Sequence, residues 1–379
     1  MHSFSKNPRV VFSVINSICY DQRVLKIAET VSNLGCDITI IGRITSNCCE
    51  SEEIPFRNVR FRMFFKRSFL FYASFNIRLF FYLLFHRFDI LVSNDLDTLL
   101  PNFLVSKLKH IKLVYDSHEY FTGVPEIKNR PFVRWAWTVI EKKIFPRLKH
   151  AITVSESIAS LYEELYGLRP HIIRNLGKKS DHITPLTREE LGIAPNDLIA
   201  IIQGNGINID KGAEELIDAV GLITGIVLLV VGSGDVVPNL KLRVNELNIG
   251  QKVIFIPSVP WEILISYTKS ADVGMCLEKD TNLNYRFSLP NKLFDYISAG
   301  IPVIASNLPE TSKILGEYNC GLLIHDVTPK EIFDALSLLK MDRSRLLKLK
   351  NNAIVASEKL NWEIESKRVV EFYKKVLKE

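Results

Sequence analysis

Residues 198–231 read LIAIIQGNGINIDKGAEELIDAVGLITGIVLLVV. An apolar run, Leu198–Gln203, stops at Gly204. A helix-length segment, Gly212–Val220, follows a glycine-rich turn, and a second β-branched run, Ile226–Val231, comes next. A short buried strand, a crossover helix and another buried strand form the repeating unit of a parallel sheet covered by helices.

The same alternation extends in both directions. Toward the C-terminus it predicts helices at Asn239–Leu247, Trp261–Lys269, Lys292–Ser298 and Thr328–Leu339, and strands at Val253–Ile256, Val273–Cys276 and Pro302–Ala305. Thr328-Pro329-Lys330-Glu331 has the form of a capping box. Toward the N-terminus it predicts strands at Arg9–Ile15, Asp37–Ile41, Asp89–Val92, Lys112–Tyr115, Ala151–Val154 and His171–Arg174, with a first helix at Asp21–Leu34. The polar stretch Gly177–Thr187 reads as a linker. A chain of 379 residues exceeds what one core usually supports. The expected architecture is therefore α/β with two parallel-sheet domains, 1–180 and 190–355. The tail 356–379 is expected to be helical and to pack back on the first domain, burying Trp362, Ile364, Val369, Phe372 and Val376.

Charge is divided unevenly. Residues 1–181 hold 26 Lys and Arg against 17 Asp and Glu, and the remainder holds 22 against 25. A basic half attracts phosphate-bearing substrates, anionic lipid or nucleic acid, but no nucleic-acid-binding motif accompanies it. The six cysteines, Cys19, Cys36, Cys48, Cys49, Cys276 and Cys320, lack zinc-site spacing and read as reduced thiols of an intracellular protein. No apolar run precedes Arg9, so no cleaved signal is expected. Phe69–His86 is apolar almost all round and follows Arg60, Arg62, Lys66 and Arg67. Arg78 near its middle makes spanning a membrane costly, which leaves a buried helix or a face that docks on an anionic membrane.

Two segments carry chemistry. Gly204 to Gly212, with Asn205 and Lys211, is a strand-to-helix turn that brings backbone N–H groups and one ammonium to an anion. Ser288-Leu289-Pro290-Asn291-Lys292 opens a helix, placing the Ser288 and Leu289 amides and the Lys292 ammonium around one anion site. Asp295 lies three residues on along the same helical face. A carboxylate there suits the hydroxyls of a ribose whose diphosphate sits at the helix end. Asp95-Leu96-Asp97 has the spacing of a divalent-cation pair, but an aspartate is also a favoured helix cap, and no metal is expected.

Residues 288–306, with Gly300-Ile301-Pro302-Val303-Ile304-Ala305, resemble the donor-binding helix of retaining glycosyltransferases of family four, the glycogen-synthase and sucrose-synthase superfamily. That family has two Rossmann-like domains facing across a cleft, the GT-B fold. The resemblance extends over nearly the whole chain, through Asp21-Gln22-Arg23-Val24, Asp116-Ser117-His118-Glu119, Gly204–Gly212 and Val231-Gly232-Ser233-Gly234. It implies that Lys211 and Lys292 hold the donor diphosphate, Asp295 the ribose and His118 the donor sugar. It further implies that the acceptor meets the first domain near Asp21, Arg23 and Glu119, and that closure of the domains joins the substrates. The family's first acid falls at Phe287 and is missing.

The expected function is a hexosyltransferase that is metal-independent and needs no cofactor. Its co-substrate is a nucleotide sugar and its acceptor a carbohydrate or lipid-linked molecule, in surface polysaccharide or glycolipid synthesis. The expected setting is the cytoplasm, peripheral at the inner membrane face, without nucleic acid. A sugar-nucleotide 2-epimerase of the same fold, or a non-catalytic sugar-nucleotide-binding subunit, are the alternative readings.

Overall fold

A computed structural model describes residues 7–18, 21–44, 54–65, 68–124 and 130–379. Cys19, Cys48, Cys49, Lys66 and Arg67 lie outside this set. The chain divides into two compact units, residues 1–175 with 365–379, and 176–364.

The first unit is built on a seven-stranded sheet ordered β3-β2-β1-β4-β5-β6-β7. Its strands are β1 (Arg9–Ser13), β2 (Asp37–Arg43), β3 (Arg57–Phe61), β4 (Ile90–Asn94), β5 (Lys112–Ser117), β6 (His150–Thr153) and β7 (His171–Ile172). The second unit has six strands ordered β10-β9-β8-β11-β12-β13. These are β8 (Leu198–Gly204), β9 (Ile226–Gly232), β10 (Val253–Ile256), β11 (Val273–Cys276), β12 (Val303–Ser306) and β13 (Gly321–Ile324). Every pairing in both sheets is parallel. Both units are therefore Rossmann-like α/β sheets. The edge strands β3 and β13 escaped the sequence reading, because Arg57–Phe61 carries two arginines and Gly321–Ile324 is only partly buried.

In each sheet the strand order reverses once, between β1 and β4 in the first unit and between β8 and β11 in the second. Crossover helices leave on opposite sides at such a point, so a crevice opens beyond the strands' C-terminal ends. Helices cover both faces of the second sheet. Leu216, Ile217 and Leu336 belong to the core on one face, and Leu293, Phe294 and Tyr296 to the core on the other.

One contact seats the helix Asn291–Ser298. A Cβ on Gly274 of β11 would fall 2.3 Å from the Tyr296 ring, so only glycine lets the ring lie against the strand. The ring is fully buried, and its hydroxyl donates toward Ile201 O or Met275 O, each at 3.3 Å.

The tail forms two helices, Arg343–Ser357 and Trp362–Lys378. Trp362, Val369, Phe372 and Val376 are buried, whereas Ile364, expected inside, is 43% exposed. The Phe69–His86 segment falls in the helix Ser68–Phe85. It is neither fully buried nor fully free: Phe71, Phe75, Leu79 and Leu83 line its core side, while Leu70, Ile77, Phe81 and Phe85 face solvent.

Gly274→Ala should therefore overpack the seat of Asn291–Ser298 and cost about 1–3 kcal/mol of stability. Urea unfolding checks this, and an unchanged midpoint would mean that the helix is not held by this contact.

Candidate functional site

In the second unit, β8 ends at Gly204, whose φ of 127° is open to glycine. Its carbonyl accepts the Ser233 N–H, and a Cβ on Gly232 would stand 2.1 Å from that same oxygen. The turn thus approaches the end of β9 backbone to backbone. It closes at Gly212, with φ 71°, where a Cβ would strike Leu277 Cβ at 2.5 Å. Lys211 is directed by this closure toward the end of β11. Its Nζ lies 5.0 Å from the centre of the Tyr285 ring and 4.0 Å from Glu278 Oε1. Asn205 is exposed and accepts from Ser233 Oγ at 3.3 Å and Ser258 Oγ at 2.5 Å.

Glu278 is the residue that sequence reasoning missed. It stands two residues beyond β11, at the strand-order reversal, with 1% of its side chain exposed. Lys292 Nζ approaches Oε1 at 2.8 Å, and the Cys276 thiol donates to Oε2 at 3.2 Å. Burial works against its charge, but Lys292 and Lys211 outweigh that and hold the carboxyl below the usual range. Reciprocally, Glu278 overcomes the burial of Lys292 and raises the ammonium's pKa. Two cations therefore converge on one buried anion. The only sequence cue was a lone charge after an apolar strand.

Asp295 accepts from Gln203 Nε2 at 3.2 Å, and Gln203 Oε1 accepts from Thr268 Oγ1 at 2.7 Å. The carboxylate is only partly buried, so it retains access to a ligand while its rotamer is fixed from behind. One expectation needs correction. The Ser288 N–H donates to Tyr285 O at 3.3 Å and its hydroxyl to the same carbonyl at 2.9 Å. Both groups close the end of the short helix Leu283–Phe287 and do not line an anion site. Leu289 packs its side chain into the core. Pro290 has no N–H, and the first turn of its helix adds the amides of Asn291 and Lys292 to that of Leu289 as donors at this helix end.

In the first unit the cluster lies beyond β4 and β5. Asp95 follows β4 with φ 60°, unusual for a residue with a side chain. The turn is held by Asp95 N–H to Asp116 O at 2.8 Å and by His118 N–H to Asp95 Oδ1 at 2.8 Å. His118 then sits between carboxylates, Nδ1 3.2 Å from Asp95 Oδ2 and Nε2 3.4 Å from Asp116 Oδ2. Burial opposes its charge, yet Asp95 and Asp116 lift the imidazolium pKa to about 10, with Asp21 adding to their effect. Asp116, although buried, is held at about 2 by Arg23 and His118.

Arg23 is not at the acceptor surface as expected. It is buried, with Nε and Nη2 on Asp116 and Nη1 donating to Ile173 O at 2.8 Å. The first turn of its helix points inward, and a guanidinium there is the counter-charge that Asp116 requires. Asp21 caps that helix by accepting the Val24 N–H at 3.1 Å. Glu119 is partly buried, and its backbone carbonyl accepts from Ser117 Oγ at 2.8 Å. Asp95 is committed to His118, while burial beside Asp95 pushes Asp97 well above the carboxylate range.

Comparison with known proteins matches both halves. The family described as "Glycosyltransferase Family 4" matches residues 22–176, and "Glycosyl transferases group 1" matches residues 184–355. Each half of the chain thus matches a glycosyltransferase domain family. Among solved structures, sucrose-phosphate synthase from Thermosynechococcus elongatus superposes with a TM-score of 0.81 at 17% identity, covering 98% of this chain and 99% of that one. HepE from Anabaena with UDP and glucose gives 0.76 at 15%, covering 97% and 100%. WaaG, a glycosyltransferase involved in lipopolysaccharide biosynthesis, gives 0.75 at 15%, covering 95% and 98%. These likenesses establish the GT-B fold.

Two curated proteins are also similar to this chain over part of its length. The D-inositol 3-phosphate glycosyltransferase of Nocardia farcinica is 26% identical over 50% of this chain and 43% of its own length. The chitobiosyldiphosphodolichol beta-mannosyltransferase of Candida glabrata is 23% identical over 70% and 65%. The matches thus span less than two thirds of either relative.

The ion cluster of the first unit has a pH signature. His118 has a folded pKa of about 10 against an ordinary 6.5, so its stabilisation is complete below pH 6.5 and is lost as pH rises toward 10. The stability of the native protein over a His118→Gln variant should therefore shrink between pH 6.5 and 10. Parallel melts across that window check it, and a constant difference would show that the imidazole is not held charged.

Proposed function

We propose that the chain transfers a hexose from a nucleoside-diphosphate sugar to a hydroxyl of a carbohydrate or lipid-linked acceptor, with retention at the anomeric carbon and without a metal ion. The observation that carries this reading is the convergence of Lys211 and Lys292 on Glu278, beside the Gly204–Gly212 turn and the first turn of Asn291–Ser298.

Transfer breaks the bond from the sugar C1 to the diphosphate oxygen and forms one to the acceptor oxygen. Negative charge grows on the departing diphosphate, and the acceptor's proton must leave. Two ammoniums and a helix N-terminus stabilise the growing charge. They supply neutralisation that a divalent cation would otherwise give. For retention, the acceptor attacks the face that the diphosphate vacates, and a departing oxygen on that same face takes the proton. Asp295, braced by Gln203, is suited to the two hydroxyls of a ribose. His118, charged and partly exposed, places a positive charge at the edge of the first unit's cluster, where it can attract a sugar hydroxyl.

The setting we infer is cytoplasmic, peripheral to the inner membrane face, in synthesis of a surface polysaccharide or glycolipid. The buried free thiols of Cys36, Cys276 and Cys320 and the basic first half support it.

The test is release of nucleoside diphosphate from a panel of UDP-, GDP- and ADP-sugars, with chelator present. One donor should be consumed in chelator, and Lys211→Ala and Lys292→Ala should each lower turnover by about 10²-fold or more. Turnover that persists in both variants would sink the reading. Turnover abolished by chelator would reject its metal-free form, and a product of inverted anomeric configuration would reject retention.

A further inference from the structure

We infer that the paired helices Ser68–Phe85 and Leu99–Lys109 form a platform that lies flat on an anionic lipid bilayer. The proposal rests on the reading of an acceptor carried at a membrane surface and names the face that meets it.

The two helices run alongside each other in the same direction. Asn76 Nδ2 donates to Asp97 O at 2.9 Å where the second helix approaches the middle of the first. At the far end Lys109 Nζ donates to the carbonyls of Leu83 at 3.2 Å, Leu84 at 3.1 Å and His86 at 2.5 Å, capping the first helix with the last turn of the second. Each of the paired helices carries an exposed apolar ladder. Ile77, Phe81 and Phe85 face solvent on one helix, and Leu100, Leu104 and Leu108 on the other. Spacing of four residues keeps each ladder on one face. From Ile77 to Phe85 the ladder runs about 12 Å. Phe81 is 50% exposed and Phe85 76%, although the opposite side of that helix already supplies the core with Phe71, Phe75, Leu79 and Leu83. Packing within the unit therefore does not account for the outward ladder.

Charge selects the occupant. No Asp or Glu occurs between Arg57 and Phe88 or between Leu99 and Lys112, against seven and three Lys or Arg. Arg78 donates to Arg62 O at 2.6 Å, and its guanidinium lies 5.8 Å from the Phe64 ring, on a loop whose Phe64 is 87% exposed. Lys107 stands beside the second ladder, over the Phe103 ring at 5.4 Å. Aromatic and aliphatic side chains rimmed by arginine and lysine, with no acid among them, suit the boundary between lipid headgroups and acyl chains. A second copy presenting the same face would meet its own charge. Among the described residues no helix is long and apolar enough to cross a membrane.

The experiment is sedimentation of the full chain with vesicles of phosphatidylglycerol and phosphatidylcholine, and with phosphatidylcholine alone. Phe81→Asp/Leu104→Asp is compared with Leu347→Asp, a control at an exposed position of the second unit. The native chain should bind the anionic vesicles, release with added salt, and lose affinity by about tenfold or more in the double variant but not in the control. Equal binding by the native chain and the double variant, or no binding to anionic vesicles, would overturn the proposal. A native dimer that the double variant dissociates, without vesicle binding, would assign the face to a second copy and overturn it equally. Donor consumption measured without vesicles reads the transferase proposal separately. A chain that turns over donor but ignores vesicles defeats only the platform.

Discussion

A carboxylate taken out of water stays ionised only if cations come with it, since desolvation alone would neutralise it. Each unit of this protein has such a carboxylate where a parallel sheet reverses its strand order or in the strand next to it. Glu278 follows β11 and draws in Lys292 and Lys211. Asp116, in β5, draws in Arg23 and His118. The surroundings follow from these pairs: Gly212 lets the Lys211 loop close on β11, and Gly274 lets Tyr296 seat the helix that carries Lys292.

The two clusters differ in what they leave for a ligand. In the first unit the guanidinium of Arg23 is spent inside, while His118 and its partner Asp95 keep part of their side chains at the surface. In the second, one buried carboxylate faces two ammoniums, so the group as a whole keeps a positive charge. Under the proposed function a diphosphate would meet cations already oriented, which is the preorganisation that stabilises charge developing on a leaving group. Asp295 is braced by a neutral amide, Gln203, which fixes its carboxylate as a hydrogen-bond acceptor.

The parallel architecture was legible because β8 and β9 are continuous apolar runs broken at glycines, while the helices between them repeat on a longer period. Lys211, Lys292 and Asp295 were legible for the same reason: each lies at a fixed offset from a strand end or helix start. Glu278 was hidden, because one acid after an apolar strand looks like any surface residue until the sheet brings β8 and the helix Asn291–Ser298 beside it. Arg23 misled in the opposite sense, since a charged residue in a first helical turn reads as exposed and only β5 supplies the carboxylate that buries it. The Ser288 amide was assigned to a ligand because the short helix Leu283–Phe287, which uses it, is too brief to show a period. The helix Ser68–Phe85 carries apolar residues on both faces, so its period could not reveal which side the sheet covers.

The account turns on Glu278 standing as the resident counter-anion of the lysine pair. The most direct measurement is the melting temperature of Glu278→Gln beside the native chain, each with and without a saturating nucleoside diphosphate. Removing one partner of a buried pair should cost about 3 kcal/mol or more, and the diphosphate should raise the variant's melting temperature further than the native chain's, because it replaces the missing charge. A variant that melts with the native chain, and that gains no more than it does from the diphosphate, would contradict the account.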